Sequence, residues 1–226
     1  AYNQLNAAVP TNFSGPLLGY GKTFYAGVYL VDEAAHFTGC LRLDAQGDPN
    51  AVFIIQIQGA FDTYAGSKVQ LINGALACNV FWKVEGAISL GAGTFMRGNL
   101  IANNGAIHLA AGNILEGRVL STTGALSLDG SKVYIPEGCG STIPIGPIAP
   151  VLGATADCGI FTIDGEVENT GTTTSVIGNV GTDLGLSTGH SAINVTGVIH
   201  SAPNAMTAQC AVDLLMQSWY RTRRHK

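Results

Sequence analysis

A 19-residue period in the middle of the chain restricts its fold more than any other feature. The pentapeptide Gly-Ala-Ile-Ser-Leu at 86–90 recurs as Gly-Ala-Ile-His-Leu at 105–109 and as Gly-Ala-Leu-Ser-Leu at 124–128. Apolar and polar residues alternate within each copy, which predicts short β-strands. Stacked copies place like residues above like residues and build one continuous core. We therefore predict a mostly β protein, a right-handed parallel β-solenoid with about 19 residues per coil.

The alternation also predicts which residues face the core. The inward columns are Ile88, Ile107 and Leu126 with Leu90, Leu109 and Leu128, and the outward column is Ser89, His108 and Ser127. The chain has 30 glycines in 226 residues, and we expect glycine to supply positive-φ corners. The same period aligns Lys83 with Ala102 and Ser121, and Glu85 with Asn104 and Thr123, so part of an outer face could carry charge.

Composition excludes several classes of protein. Charged residues make up 12% of the chain, against about 25% on average, which argues against a coiled coil. The apolar share of 46% argues against disorder. The net charge is −4, with four of the 11 basic residues in the last six positions, so the rest of the chain is a poor partner for nucleic acid. No unbroken apolar run is long enough to insert into a membrane.

The repeat is interrupted by a linker and a helix. Residues 138–156 carry Pro144, Pro147 and Pro150 and read as a Pro/Gly linker between residues 1–137 and 157–226 of a single solenoid domain. Helical spacing over about 203–220 predicts one long amphipathic helix docked along the solenoid. Its predicted docking face consists of Ala208, Ala211, Val212, Leu215 and Trp219, with Asp213 elsewhere on the wheel.

Five cysteines lack the Cys-x-x-Cys spacing of zinc or redox motifs. Cys139 and Cys158 flank the linker and could close it as a loop in an oxidising compartment. Cys78 and Cys210 could pair if the helix packs beside the strand that carries Cys78. Buried free thiols are an equal alternative.

The sequence carries few traces of catalysis. The five histidines are scattered without ligand spacing, and no nucleophile elbow, phosphate loop or metalloprotease motif is complete. The repeat columns hold Ala, Ser, Asn and Thr where a polysaccharide-cleaving solenoid needs clustered carboxylates. We therefore predict no enzyme, no cofactor and no metal.

A neutral surface of small side chains is the remaining feature that suggests a function. Alternation through 169–174 would send Thr170, Thr172 and Thr174 to one face, which could also be an ordinary exposed strand. Asn104 and Thr123 occupy one column of the repeat. A flat array of this kind resembles surfaces that order water or bind a regular lattice.

Several longer motifs carry a resemblance that covers nearly the whole chain. They are Leu-Asp-Ala-Gln-Gly-Asp-Pro-Asn-Ala-Val-Phe-Ile at 43–54, Asn-Val-Phe-Trp-Lys-Val-Glu-Gly-Ala at 79–87 and Glu-Gly-Arg-Val-Leu-Ser-Thr-Thr-Gly-Ala at 116–125. These segments resemble the microbial ice-binding (antifreeze) proteins, which have a discontinuous β-solenoid and a flanking helix. Residues 152–153, 169–171, 178–182 and 195–200 resemble the N-terminal portion of that family.

The order of the two portions is inverted relative to the family. This chain starts with Ala-Tyr-Asn-Gln-Leu-Asn at 1–6, which resembles the end of the family helix, and finishes with the portion that should come first. Either the chain is a circular permutant whose halves close on each other, or it belongs to a tandem or head-to-tail array in which each C-terminal half completes the next unit.

The resemblance implies a secreted or cell-surface protein that adsorbs to ice without catalysis or cofactor. Thr-Gly-Thr-Thr at 170–173 matches a pattern of some family ice faces. We predict ice contact by Thr170, Thr172 and Thr174 together with Asn104 and Thr123. The alternative is an extracellular structural or adhesive subunit on the same fold, without strong ice activity.

Overall fold

The computed structural model describes residues 1–137, 147–201 and 203–215. Its strands form three parallel sheets. In spatial order, sheet A contains β1 (Asn12–Phe13), β4 (Gly27–Val31), β7 (Phe53–Ile57), β10 (Val80–Val84), β13 (Asn99–Ala102), β16 (Val119–Thr123), β19 (Cys158–Asp164), β22 (Asn179–Leu184) and β25 (Ile199–His200). Sheet B contains, in the same direction, β2 (Leu17–Gly19), β5 (Ala35–Thr38), β8 (Phe61–Thr63), β11 (Ile88–Leu90), β14 (Ile107–Leu109), β17 (Leu126–Leu128), β20 (Val167–Asn169) and β23 (Ser187–Thr188). Sheet C contains β3 (Thr23–Tyr25), β6 (Cys40–Asp44), β9 (Lys68–Ile72), β12 (Phe95–Arg97), β15 (Ile114–Glu116), β18 (Lys132–Tyr134), β21 (Ser175–Ile177) and β24 (Val195–Thr196).

The strand order confirms the predicted parallel β-solenoid. In each sheet every strand pairs with the strand one coil before it and the strand one coil after it, so each coil contributes one strand to each sheet. Ile88 pairs with Ile107 and Ile107 with Leu126, and these side chains are buried in the core as predicted. Ser89, His108 and Ser127 form the outward column.

One predicted alignment is wrong by a single residue. Lys83 pairs with Ile101, and Val84 pairs with Ala102, because this coil is one residue shorter in sheet A than the 19-residue period. A one-residue slip reverses the face of a strand residue. Ala102 and Ser121 therefore point into the core and are buried.

Glycines at the corners serve two different purposes. Gly93 and Gly112 turn the chain after sheet B with φ values of +68° and +74°, as the sequence predicts. Gly105 lies at the corner between sheets A and B, where a Cβ atom would approach the carbonyl carbon of Gly86 to 2.3 Å. Close stacking of successive coils, and not a left-handed backbone, requires glycine at this position.

Helix α2 (Ala205–Leu215) lies within the predicted range 203–220, of which 216–220 are outside the described residues. Its buried face differs from the predicted one. Thr207, Cys210, Ala211, Asp213 and Leu214 are buried, whereas Val212 and Leu215 are exposed. Asp213 tolerates burial because its carboxylate accepts hydrogen bonds from the backbone N of Ala154 (2.7 Å) and from Gln209 (3.1 Å).

A short helix, α1 (Tyr2–Asn6), was not predicted as a separate element. The backbone N of Ala1 donates to the carbonyl of Asp213 at 2.8 Å, and the Asn3 side chain donates to the carbonyl of Leu215. These bonds join α1 to the end of α2, so that both helices lie over sheet A. Among the described residues, no helix is both long and apolar enough to cross a membrane.

The two cysteine pairings considered from the sequence are wrong. Cys78 is disulfide-bonded, but Cys158 and Cys210 are free thiols. Their sulfur atoms lie 3.3 Å apart where α2 packs on β19. Cys139 lies outside the described residues, as does the linker segment 138–146. The helix therefore meets the start of β19 and not the segment that carries Cys78.

Candidate functional site

Sheet A does not offer an exposed face along most of its length. Its outward side chains are large and apolar, and they pack with Leu5 of α1 and with Cys210 and Leu214 of α2. They are Val28, Ile54, Phe81, Ile101, Leu120 and Phe161, all buried. The two helices therefore form a roof that excludes solvent from this sheet.

The charged residues expected on an outer face lie beneath this roof. Lys83 is fully buried and forms an ion pair with Glu85. Glu85 also accepts hydrogen bonds from the Tyr2 hydroxyl (2.6 Å) and from Asn103 (2.7 Å). Burial acts to raise the pKa of Glu85, but the hydrogen bonds from Lys83, Tyr2 and Asn103 outweigh it and lower the pKa. This cluster anchors α1 and leaves the exposed faces without these charges.

Sheet C is exposed but carries bulky and charged side chains. Arg97 and Glu116 form an ion pair with an N–O distance of 3.0 Å across neighbouring coils. Phe95 and Tyr25 project outward and are 40% and 48% exposed. Such a surface is uneven and strongly hydrated, which suits a flat lattice poorly.

The middle of sheet B is an exposed surface that carries mostly small side chains. We call it the small-residue face, and it consists of Ala87, Ser89, Gly91, Ala106, His108, Ala110, Ala125 and Ser127 on three successive coils. Neighbouring coils stack about 4.8 Å apart, as in any sheet. His108 Nδ1 and Ser127 Oγ are 2.9 Å apart, which orders this pair along the column.

Charged residues bound the small-residue face at both ends. On the β8 side, His36 and Asp62 lie 2.6 Å apart. On the β20 side, Glu166 and Glu168 are exposed. Within the repeat itself, the column that contains Gly91 and Ala110 continues to Asp129, which is exposed and charged. The uncharged region therefore covers the Ala87–Ser89, Ala106–His108 and Ala125–Ser127 positions of the three coils.

The predicted site residues lie at two different edges of sheet B. Asn104 and Thr123 are exposed at its corner with sheet A, where Asn104 adopts a φ of +54°. Thr170 and Thr172 are exposed in the turn between β20 and β21, at the corner with sheet C. The structure therefore brings these four residues to the borders of one sheet and not into a single column.

Thr174 is not available for surface contact. It is 4% exposed. Its hydroxyl donates to Asn169 Oδ1 at 2.5 Å, and Thr174 Oγ1 accepts from the backbone N of Gly130 at 3.1 Å. The prediction fails because residues 170–174 form a turn, in which the alternation of a strand does not apply.

Other hydroxyl side chains are also used inside the solenoid. Ser121, Thr162 and Thr182 donate to the carbonyls of Gly105, Gly124 and Gly165 at 3.0, 3.0 and 2.8 Å. They hold the corner between sheets A and B in the same way on three coils. Many of the hydroxyl side chains in the sequence are therefore not available at the surface. The alanines of the repeat predict the exposed face better than the threonines do.

The described part of the chain contains no group of three or more His, Cys, Asp or Glu residues positioned to hold a metal ion.

These features define a class: a parallel β-solenoid with one sheet roofed by helices and another presenting a flat, small-residue face. The model of the Ice-binding-like family matches residues 1–134, more than half of the chain. The protein therefore belongs to the ice-binding-like family.

Individual relatives match parts of the chain. An ice-binding protein of Nostoc sp. (strain HG1) is 41% identical over 103 residues, which are 45% of this chain and 38% of that protein. Ice-binding protein 1 of Shewanella frigidimarina is 40% identical over 82 residues, 35% of this chain and 9% of that protein. The chain thus covers well under half the length of these two relatives.

A solved structure matches nearly the whole chain. The crystal structure of an ice binding protein from an Antarctic bacterium, Flavobacteriaceae, is 52% identical with a TM-score of 0.62, and the match covers 94% of this chain and 50% of that one. The ice-binding protein of the Antarctic ascomycete Antarctomyces psychrotrophicus is 36% identical with a TM-score of 0.55, covering 57% of this chain and 64% of that one.

Proposed function

We propose that this protein adsorbs to ice through the small-residue face of sheet B, with Asn104, Thr123, Thr170 and Thr172 at its borders. The observation that carries the proposal is the contrast between the three faces. Sheet A is roofed and sheet C carries bulky and charged side chains, whereas the middle of sheet B combines exposure with mostly small side chains. Family membership supplies the ligand class.

Adsorption needs a rigid surface more than it needs strong individual contacts. Parallel ladders hold β11, β14 and β17 in register, and the buried hydroxyls of Ser121 and Thr162 fix the adjacent corner. A surface that is ordered in advance loses little conformational entropy on binding. Adsorbed molecules would curve the ice front between them, which lowers the freezing point or blocks recrystallisation.

The experiment is thermal hysteresis with crystal shaping on two matched serine variants. Ser89→Tyr places a bulky ring on the small-residue face, and Ser175→Tyr places the same ring on sheet C, where the serine is also exposed. We expect the first variant to lose most of the freezing gap and the second to keep it. Equal activity of both variants, each shown to be folded by circular dichroism, would overturn the choice of face.

The borders of the face are tested separately with Thr172→Arg. This residue is exposed at the corner with sheet C, so a bulky charge there should reduce the freezing gap less than Ser89→Tyr does. Unchanged activity would place Thr172 outside the ice contact and leave the central face standing.

We also propose that the chain is one solenoid domain with its halves in permuted order, closed on itself. Three pairings across the linker support this: β16 with β19, β17 with β20, and β18 with β21. The bond from Ala1 N to the carbonyl of Asp213 supports it at the helices. A monomer at every concentration in light scattering is expected, whereas growth of mass with concentration would favour head-to-tail assembly.

The remaining assignments follow from adsorption to ice. We propose a secreted or cell-surface protein without catalysis or cofactor, whose partner is the ice crystal and neither nucleic acid nor membrane. The disulfide at Cys78 supports an oxidising location. Detection of the protein in the culture medium of its source would test this, and retention inside the cell would contradict it.

A further inference from the structure

The contact between helix α2 and strand β19 holds two thiols that adsorption to ice does not use. Cys210 lies in the middle of α2, Cys158 is the first residue of β19, and their sulfur atoms are 3.3 Å apart. The side chains are 1% and 2% exposed. Two buried cysteines at this separation need only a small displacement to reach the S–S bond length of about 2.05 Å.

We propose that Cys158 and Cys210 are an oxidation site and form a disulfide that joins the helical roof to the solenoid. The bond would close residues 158–210 into a covalent loop that contains β19 to β25. This assignment is independent of ice binding and differs from both pairings that sequence spacing suggests.

Polar contacts on both sides of the pair hold the two backbones in place. On the helix, Asp213 lies one turn beyond Cys210, and its carboxylate accepts from the backbone N of Ala154 at 2.7 Å. On the solenoid, Arg118 donates twice to the carbonyl of Ala156, at 2.9 and 2.6 Å, and once to Asn99. These bonds fix residues 154–158 against the helix without any sulfur bond. Groups held in contact in this way react as if at a very high concentration.

The chemistry is a thiol–disulfide exchange with a disulfide reagent such as oxidised glutathione. A hydrogen bond from the Cys158 thiol stabilises the Cys210 thiolate and lowers the pKa of Cys210. That thiolate attacks one sulfur of the reagent and releases one reduced glutathione. Cys158 then loses its proton and attacks the Cys210 sulfur of the mixed disulfide, which releases the second glutathione. Two protein thiols are oxidised and one reagent disulfide is reduced. Because both thiols are buried, exchange takes place as α2 docks or transiently opens.

The direct test is mass spectrometry on the whole protein after incubation with oxidised glutathione. Free thiols are blocked with iodoacetamide under denaturing conditions, and the protein is digested without reduction. We expect a peptide pair that joins Cys158 to Cys210, with Cys40 alkylated. Recovery of Cys158 and Cys210 both alkylated, or a bond from either one to another cysteine, would overturn the proposal.

A second measurement compares thermal unfolding of matched variants under the same oxidising conditions. Cys210→Ser should lower Tm by roughly 5–15 °C relative to the oxidised parent, because it removes the closed loop. Cys40→Ser, at a free thiol on sheet C, should leave Tm unchanged. The double variant Cys158→Ala with Cys210→Ala removes the disulfide without burying a new hydroxyl. If the Tm of the oxidised parent is no higher than the Tm of this double variant, the proposal is contradicted.

Discussion

The outward faces of sheets A and B belong to the same coils but have opposite surroundings. On the coil that contains β16 and β17, Leu120 points out of sheet A beneath the helices, while Ser127 points out of sheet B into solvent. Both residues follow the same strand alternation. The side chains of the outward column, and not the backbone, therefore decide whether a sheet is roofed or exposed.

This difference separates the stability of the protein from its proposed activity. The large apolar column of sheet A stabilises the fold by burial against α1 and α2. The small side chains of sheet B contribute little burial energy, and we propose that they act in ice contact. Substitutions on sheet A should therefore lower the free energy of unfolding, whereas substitutions on the exposed face of sheet B should reduce ice activity.

The largest expected effect is the loss of a buried side chain in the roofed face. Leu120→Ala should lower the free energy of unfolding by about 2–5 kcal/mol, because it leaves a cavity under α2. Ser127→Ala, on the exposed face of the same coil, should change it by less than about 0.5 kcal/mol. Urea titration followed by circular dichroism measures both. Equal losses would show that the two faces are not energetically distinct.

The fold and the core columns were predictable because a repeat records the same environment several times. Ile88, Ile107 and Leu126 meet the same neighbours on successive coils, so their shared pattern carries one structural meaning. The predicted alignment of Lys83 is wrong because the coil between β10 and β13 is one residue shorter in sheet A than the period. A periodic pattern does not reveal where a residue is missing.

The candidate site was less predictable for a different reason. Thr172 and Thr174 are separated by one residue, yet one is exposed and the other buried, since the turn between β20 and β21 is set by bonds to the neighbouring coil. Likewise, the helical pattern predicts that Asp213 faces solvent. In the structure its carboxylate is buried and accepts a hydrogen bond from the backbone N of Ala154, which is 59 residues away along the chain. Contacts of this range leave no local signal in one sequence.

The second prediction concerns the corner that separates the two faces. Gly105→Ala should destabilise by about 3 kcal/mol, because its Cβ would lie 2.3 Å from the backbone of Gly86 and force the coils apart. Gly112→Ala, at a positive-φ turn where a Cβ would meet the backbone of Gly93 only at an ordinary contact distance of 3.9 Å, should cost about 1 kcal/mol. The midpoints of denaturant unfolding of the two variants measure which substitution is more destabilising. A larger loss at Gly112 would indicate that backbone conformation, and not coil stacking, requires the glycines.

The third prediction uses the pH dependence of the roofed face. The pKa of Glu85 is lower in the folded protein than its ordinary value of 4.5. The stability that it contributes is therefore fully present above about pH 4.5 and is lost as pH falls through the lowered folded value. Glu85→Gln removes this titration, so the stability difference between parent and variant should shrink as the pH falls below that range. A constant difference from pH 7 to pH 3 in urea titrations would contradict the assignment.

The smallest expected effect comes from making the roofed face uniformly neutral. Lys83→Met combined with Glu85→Gln replaces a buried ion pair with groups of similar size. The amide at position 85 can still accept from Asn103 through its oxygen and donate to the Tyr2 hydroxyl through its nitrogen. Replacing a buried ion pair in this way is often neutral or stabilising, so the free energy of unfolding should change by less than about 1 kcal/mol. Thermal hysteresis should not change at all, because the pair lies beneath α1 and not on sheet B. A reduced freezing gap in a variant of unchanged stability would show that the roofed face also takes part in ice contact, and the separation of roles between the two sheets would then fail.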